Sequence, residues 1–72
     1  MAQTTLQSEI TGTVWKIEVR EGDTVAEEQT LMVMESMKME IPLTAPTNGM
    51  VLRLLVNEGD AVVEGQDVAV LE

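Results

Sequence analysis

The sequence predicts an all-β sandwich or barrel, and two features of the chain support that fold class. Residues 6–35 and 43–72 align without a gap, with twelve of thirty positions identical. Short segments rich in β-branched and apolar residues recur between turn residues, with no helical period. Two such repeats are too few for a solenoid, so they should bury one shared core as a pseudo-symmetric pair. The 72 residues are therefore predicted to form one domain of eight strands, four per repeat.

The longest strand-like segment is TVWKIEV in the first repeat and MVLRLLV in the second, and a Glu-Gly-Asp triplet follows each. The glycine of that triplet can take positive φ, so each triplet predicts a turn. Apolar positions shared by the two segments are spaced by three and then by two, which breaks strict alternation and predicts a β-bulge early in each strand. These positions are Val14, Ile17 and Val19 in the first segment and Val51, Leu54 and Val56 in the second. Trp15, with Leu52 at the equivalent place, is expected to be a packing residue.

Residues 36–42 lie outside both repeats and join two further strands, TLMVME and MEIPLTA. Pro42 cannot donate to a ladder, so it should lie on an edge strand or at a bulge. The chain must reverse within Ser36-Met37-Lys38-Met39, which is the length of a hairpin turn. Lys38 is therefore predicted at an exposed tip.

Composition excludes several classes of function. The chain has no cysteine and no histidine, which removes thiolate chemistry, the usual zinc sites and the common neutral-pH proton carrier; no metal site is expected. A net charge of -9 argues against binding nucleic acid or an anionic membrane. The N-terminal segment MAQTTLQSEI lacks the basic start and apolar stretch of a signal peptide, so we expect a cytoplasmic protein.

Lys38 has a simple interpretation as a solvated turn residue, but its surroundings argue against it. Hairpin tips favour Asn, Gly and Asp because these residues accept positive φ, whereas this tip carries Met37 and Lys38. Met32 and Met34 suit core filling, while Met37 and Met39 cannot both point inward. An accessible lysine amine on a flexible stem suits covalent attachment of a group carrier such as biotin or lipoamide.

The segment from Glu35 to Glu40, ESMKME, resembles the Glu-Ala/Ser-Met-Lys-Met motif of biotinyl domains, the biotin carboxyl carrier family. The resemblance covers about residues 6–72, and the chain is similar to small stand-alone biotin/lipoyl attachment proteins. Lipoyl domains usually have Asp-Lys-Ala at this tip. The resemblance implies a flattened barrel-sandwich of two four-stranded antiparallel sheets with quasi-two-fold symmetry, in which residues 36–42 form the acceptor hairpin.

The same resemblance implies that Lys38 is biotinylated by a biotin protein ligase, and that the domain carries a carboxyl group from a biotin carboxylase to a carboxyltransferase without catalysing either reaction. Met37 and Met39 are expected to govern which group is attached. Ligase recognition would involve Glu35, Ser36 and Glu40, although the two glutamates can equally be ordinary exposed strand charges. Two alternatives are a lipoyl or dual biotin/lipoyl carrier of a 2-oxoacid dehydrogenase-type system, and an unmodified β module for protein contact.

Two departures from the family pattern lie in the first repeat, and an insertion found in part of the family is absent. Glu28 stands where the second repeat has Gly65, so the sequence does not predict the backbone conformation of the 26–29 turn. LQSEITG replaces the family's common Ala-Pro-x-x-Gly pattern, which APTNG preserves in the second repeat. No thumb segment is inserted between strands, so the chain is not expected in the acetyl-CoA carboxylase subgroup that has one.

Overall fold

The structure, a computed structural model, describes residues 3–72. These residues form strands only, which confirms the all-β fold class. The eight strands are β1 (Thr4–Gln7), β2 (Gly12–Ile17), β3 (Thr24–Val25), β4 (Thr30–Ser36), β5 (Met39–Thr44), β6 (Gly49–Leu54), β7 (Ala61–Val62) and β8 (Asp67–Leu71). Over this part of the chain there is no helix of the length and apolarity needed to cross a membrane.

The strands form two four-stranded antiparallel sheets, in the orders β1-β8-β6-β3 and β5-β4-β2-β7. Adding 37 to the residue numbers of β2 and β3 gives the first and last residues of β6 and β7. The same step relates β4 to β8 and exchanges the two sheet orders. The quasi-two-fold symmetry predicted from the repeat is therefore confirmed, in a body of 36 × 18 × 17 Å. Pro42 lies on the edge strand β5, as predicted.

One core lies between the sheets and takes equivalent side chains from both repeats. Val14 and Val51 are fully buried counterparts, and Met32 and Met34 fill the core as predicted. The other buried apolar residues are Leu6, Val19, Val25, Leu31, Leu43, Ala45, Val56, Val62, Val68, Ala69 and Leu71.

Both predicted bulges are present. The register between β2 and β4 shifts at Trp15, and that between β6 and β8 shifts at the equivalent Leu52. The extra residue places both Trp15 and Lys16 on the outer face, between the inward Val14 and the half-buried Ile17. Trp15 is consequently 50% exposed, so the expectation that it is simply a packing residue is wrong.

Each Glu-Gly-Asp turn holds the bulged strand of the other repeat. Gly22 has φ of 94°, and its N–H donates to the Val51 carbonyl at 2.7 Å. Beside it, the Glu21 carboxylate accepts the N–H of Leu54 at 2.9 Å. The bulge disturbs the β6 ladder next to these groups, so the turn supplies hydrogen bonds where the regular pairing changes.

The second turn repeats this arrangement. Gly59 has φ of 91° and donates its N–H to the Val14 carbonyl at 2.7 Å, and the Glu58 carboxylate accepts the N–H of Ile17 at 2.8 Å. The two repeats are thus joined by reciprocal hydrogen bonds as well as by the shared core.

The backbone of the 26–29 turn follows the symmetry despite the change of residue. Glu28 has φ of 71° and Gly65 has φ of 87°, so both turns use the left-handed conformation. The N–H of Glu28 donates to the Ala45 carbonyl at 2.7 Å, and that of Gly65 donates to the Ser8 carbonyl at 2.8 Å. The first repeat therefore keeps the turn at the cost of strain at a glutamate.

Candidate functional site

The hairpin between β4 and β5 has a tip of two residues. Its last cross-strand pairs are Glu35 with Glu40 and Ser36 with Met39, which leaves Met37 and Lys38 as a two-residue loop. The φ angles of these two residues are 51° and 66°. Positive φ at both central residues is the pattern of a type I′ turn, whose twist matches that of the flanking strands. The position predicted for the chain reversal is confirmed.

Neither tip residue suits this backbone. Left-handed φ costs an L-residue with a Cβ roughly 1 to 2 kcal/mol, and Asn or Gly would relieve much of that strain. Met37 and Lys38 are not Asn or Gly, so turn stability does not explain their presence. Such strain is found where the surrounding structure enforces it, often at functional sites.

The side chains at the tip face solvent. Met37 is 92% exposed and Met39 is 63% exposed, and Lys38 is also exposed. Among residues 3–72, the ion pair found is between Lys16 and Glu18 at 3.7 Å, and no carboxylate pairs with Lys38. The Lys38 amine is therefore accessible to another protein from most directions.

The β4 arm of the hairpin is held by β2 and the loop before it. The Ser36 Oγ donates to the Thr11 carbonyl at 3.1 Å. At Gly12 a Cβ would overlap the Glu35 carbonyl oxygen, so only glycine permits this approach of β2 to β4. Sequence reasoning did not connect Gly12 with the site, although its identity with Gly49 in the second repeat was the available signal. Gly49 approaches the Glu72 carbonyl in the same way.

Glu35 and Glu40 lie directly opposite each other, both exposed, on the outer face of the sheet. Like charges at opposed positions destabilise a strand pair, so these residues do not serve the stability of the hairpin. Their expected part in ligase recognition, and that of Ser36, stays a prediction. Ser36 is half-buried and its hydroxyl is already bonded to Thr11, so it also anchors the arm.

The chemistry that the site offers is that of a single accessible amine. Within the described part of the chain, no group of three or more acidic side chains is placed to hold a metal ion. The nearest titratable groups in sequence are the carboxylates of Glu35 and Glu40, one strand position outside the turn pair. An amine so presented can accept an acyl group that another protein delivers.

The fold and the tip lysine together define a small β domain that presents one exposed lysine at a hairpin tip. The chain belongs to the biotin/lipoyl attachment family: the family model described as "Biotin-requiring enzyme" matches residues 3–71. The resemblance stated from the motif is thereby confirmed, and so is the flattened sandwich of two sheets that it implied.

Three similar proteins illustrate the range of the family. The biotin carboxyl carrier protein of Streptococcus mutans serotype c is 46% identical over 44 residues, which are 61% of this chain and 34% of that protein. The crystal structure of the Kluyveromyces lactis urea carboxylase matches with a TM-score of 0.93 and 35% identity, over 100% of this chain and 6% of that one. The lipoyl domain of the 2-oxoglutarate dehydrogenase complex from Azotobacter vinelandii matches with a TM-score of 0.82 and 22% identity, over 94% of each chain.

The lipoyl match shows the shared fold alone, because its identity is low. Aligned segments cover from 34% to 56% of the length of the curated bacterial relatives that the chain matches. The similarity therefore applies to an attachment domain that makes up part of the length of these relatives.

Proposed function

We propose that this chain is a biotin carboxyl carrier domain in which biotin is joined through an amide bond to the Nζ of Lys38. The observation that carries the proposal is the two-residue tip, which holds Lys38 at φ of 66° in an exposed type I′ turn that a lysine does not favour. The family match and the similarity to a biotin carboxyl carrier protein support it.

The tip fits the attachment reaction. The neutral Lys38 amine attacks the acyl carbon of biotinyl-AMP on a biotin protein ligase; the N–C bond forms, the bond to phosphate breaks, AMP leaves and the amine loses a proton. The contacts of Gly12 and Thr11 with the β4 arm hold the backbone of the tip at a constant position, from which the flexible Lys38 stem presents its amine. Met37 and Met39 present long apolar side chains on either side of it, which suit an apolar groove of the ligase.

Biotin, once attached, would supply the ring that holds the carboxyl group in transit. The role of the chain is to carry that group between a biotin carboxylase and a carboxyltransferase. A rigid β body with the group on a flexible lysine stem at a projecting turn suits such a transfer, because the stem can enter a cleft while the body remains outside. The urea carboxylase match supports partners of the carboxylase class.

The alternative cargo is lipoate, or either group. The fold does not discriminate, because a lipoyl domain shares it. Biotin is favoured by the two exposed methionines at the tip, since an Asp-Lys-Ala tip would present a charge and a short side chain in their place.

The test is coexpression of the chain with a biotin protein ligase and, separately, with a lipoate ligase, followed by intact mass and peptide mapping. We expect one biotin on Lys38 and none on Lys16, whose side chain lies mid-strand beside Glu18. Lys38→Arg should abolish labelling with an unchanged melting temperature, because guanidinium is a poor nucleophile and the tip side chain contributes little to the core.

Lys16→Arg is the matched control and should be labelled like the parent. Label on Lys16, or lipoate added in preference to biotin, would contradict the proposal. A competition between the natural tip and one carrying Met37→Asp with Met39→Ala would then test the choice of group: equal biotinylation of both tips would show that the methionines do not determine it.

A further inference from the structure

Four of the five methionines in residues 3–72 fall into two groups by exposure. Met32 and Met34 are 0% and 3% exposed in the core, whereas Met37 and Met39 are 92% and 63% exposed at the hairpin tip. Met50 on β6 is 38% exposed, and the chain has no cysteine. Within residues 3–72, the two most exposed methionines are therefore the two that flank Lys38.

We propose that Met37 and Met39 are oxidation sites, and that their conversion to methionine sulfoxide by a peroxide slows biotin attachment to Lys38. This inference rests on the proposed function, because it concerns the same attachment reaction. It assigns the two methionines a further property: they make acceptance of the group dependent on the oxidation state of the tip.

The chemistry requires only the thioether and hydrogen peroxide. The sulfur lone pair attacks one peroxide oxygen, the O–O bond breaks and an S–O bond forms. The other oxygen leaves and is protonated to water. Each sulfur is oxidised by two electrons and each peroxide is reduced by two, so one peroxide is consumed per methionine. Susceptibility follows exposure, so the tip should react first and the core sulfurs last.

Oxidation changes the property that suits the tip to its partner. A thioether is polarizable and apolar, while a sulfoxide is a strong hydrogen-bond acceptor and is chiral. A groove that accepts a methionine side chain would have to desolvate this polar group without a partner. Met37 and Met39 border Lys38 directly. A sulfoxide that does not fit the groove would therefore move the residues that position the amine for attack.

The fold should tolerate the change. The side chains of Met37 and Met39 lie largely in solvent, outside the contiguous core that contains Met32 and Met34. The turn is fixed by backbone pairing between Ser36 and Met39 and by the Ser36 bond to Thr11, none of which involves a sulfur. Loss of attachment should therefore occur in a folded protein, which separates this effect from oxidative unfolding.

The first measurement is a titration of the folded apo chain with hydrogen peroxide, followed by peptide mapping. We expect oxygen to be added to Met37 and Met39 before Met50, with Met32 and Met34 unreacted while the circular dichroism spectrum is unchanged. Oxidation of the core methionines at the same rate as the tip would overturn the proposal.

The second measurement is the rate of biotinylation by a purified biotin protein ligase, with the peroxide removed before the ligase is added. The oxidised chain should be biotinylated about tenfold more slowly or worse, since a polar group buried without a partner is costly. Treatment with the two methionine sulfoxide reductases, which act on opposite epimers, should restore the rate.

Variants assign the effect to the tip. For a chain with Met37→Leu and Met39→Leu, the biotinylation rate after peroxide is divided by the rate of the same chain before peroxide. That ratio should be near one. Met50→Leu is the control away from the tip, and it should remain as sensitive as the parent. An unchanged rate for the fully tip-oxidised parent would overturn the inference while leaving the proposed function intact. A parent chain that accepts no biotin before peroxide would instead refute the proposed function, and this inference with it.

Discussion

Replacement of Glu28 by glycine should stabilise the domain, because this exposed residue occupies the left-handed region at φ of 71°. Relief of that strain is worth roughly 1 to 2 kcal/mol. Glycine also gives the unfolded chain more conformations, which returns about 0.4 to 1 kcal/mol. With the middle of each range, the net gain is about 0.8 kcal/mol. For a domain of this size, that gain raises the melting temperature by about 3 to 6 °C.

The assay is thermal and urea unfolding of three variants beside the parent. Glu28→Gln removes the same negative charge without relieving the backbone, so it separates the effect of φ from that of the net charge of -9. Gly65→Glu is the opposite change at the equivalent position of the second repeat, and it should destabilise the domain because Gly65 has φ of 87°. No atom lies within 4 Å of the position that a Cβ would occupy there, so the loss would come from backbone strain alone. If Glu28→Gly gave no more stability than Glu28→Gln, the strain argument would be refuted.

The remaining predictions concern the two Glu-Gly-Asp turns. Gly59→Val and Gly22→Val should each cost roughly 1 to 3 kcal/mol in urea unfolding, through strain at positive φ alone, since no atom lies within 4 Å of the position that a Cβ would occupy at either glycine; an effect at only one of them would show that the turns are not equivalent. Glu58→Ala should lower the free energy of unfolding by about 1 kcal/mol, because the exposed Ile17 N–H loses a charged acceptor. Glu64→Ala removes an equal charge and should cost less. Equal losses of stability would mean that the Glu58 contact adds nothing.

Local features of the sequence were sufficient to predict most of the fold. The turn glycines, the three-then-two spacing of Val14, Ile17 and Val19, and the shortness of the 36–39 link are all local signals, and each was confirmed by the structure. The hairpin tip was predictable for the same reason, because a chain that must reverse within Ser36-Met37-Lys38-Met39 places its central residues at an exposed turn.

Contacts between the repeats were not predictable in the same way. The Glu21 carboxylate bonds to Leu54, 33 residues away, and Gly12 is needed because of a carbonyl on β4. Periodicity identifies which face of a strand is buried, but it does not reveal which distant backbone group a side chain reaches. The exposure of Trp15 follows from the bulge, because the extra residue turns its side chain to the outer face. Hydrophobicity alone predicts that Trp15 packs inside.

The quasi-two-fold symmetry bears on the valency of the carrier. The pair of Thr4 with Leu71 is the counterpart of the pair of Ile41 with Met34, so β1 and β8 reproduce the register of the acceptor hairpin at the symmetry-related end of the other sheet. The scaffold thus has two equivalent places for a carrier arm, and one continuous hairpin occupies one of them.

A circularly permuted chain, with Glu72 joined to Gln3 through Ser-Met-Lys-Met and new ends at the exposed 46–48 loop, would have a turn at both places. Under the proposed function, such a protein would present two attachment lysines without any change to its core. The number of attachment sites on this fold is accordingly set by chain connectivity rather than by packing.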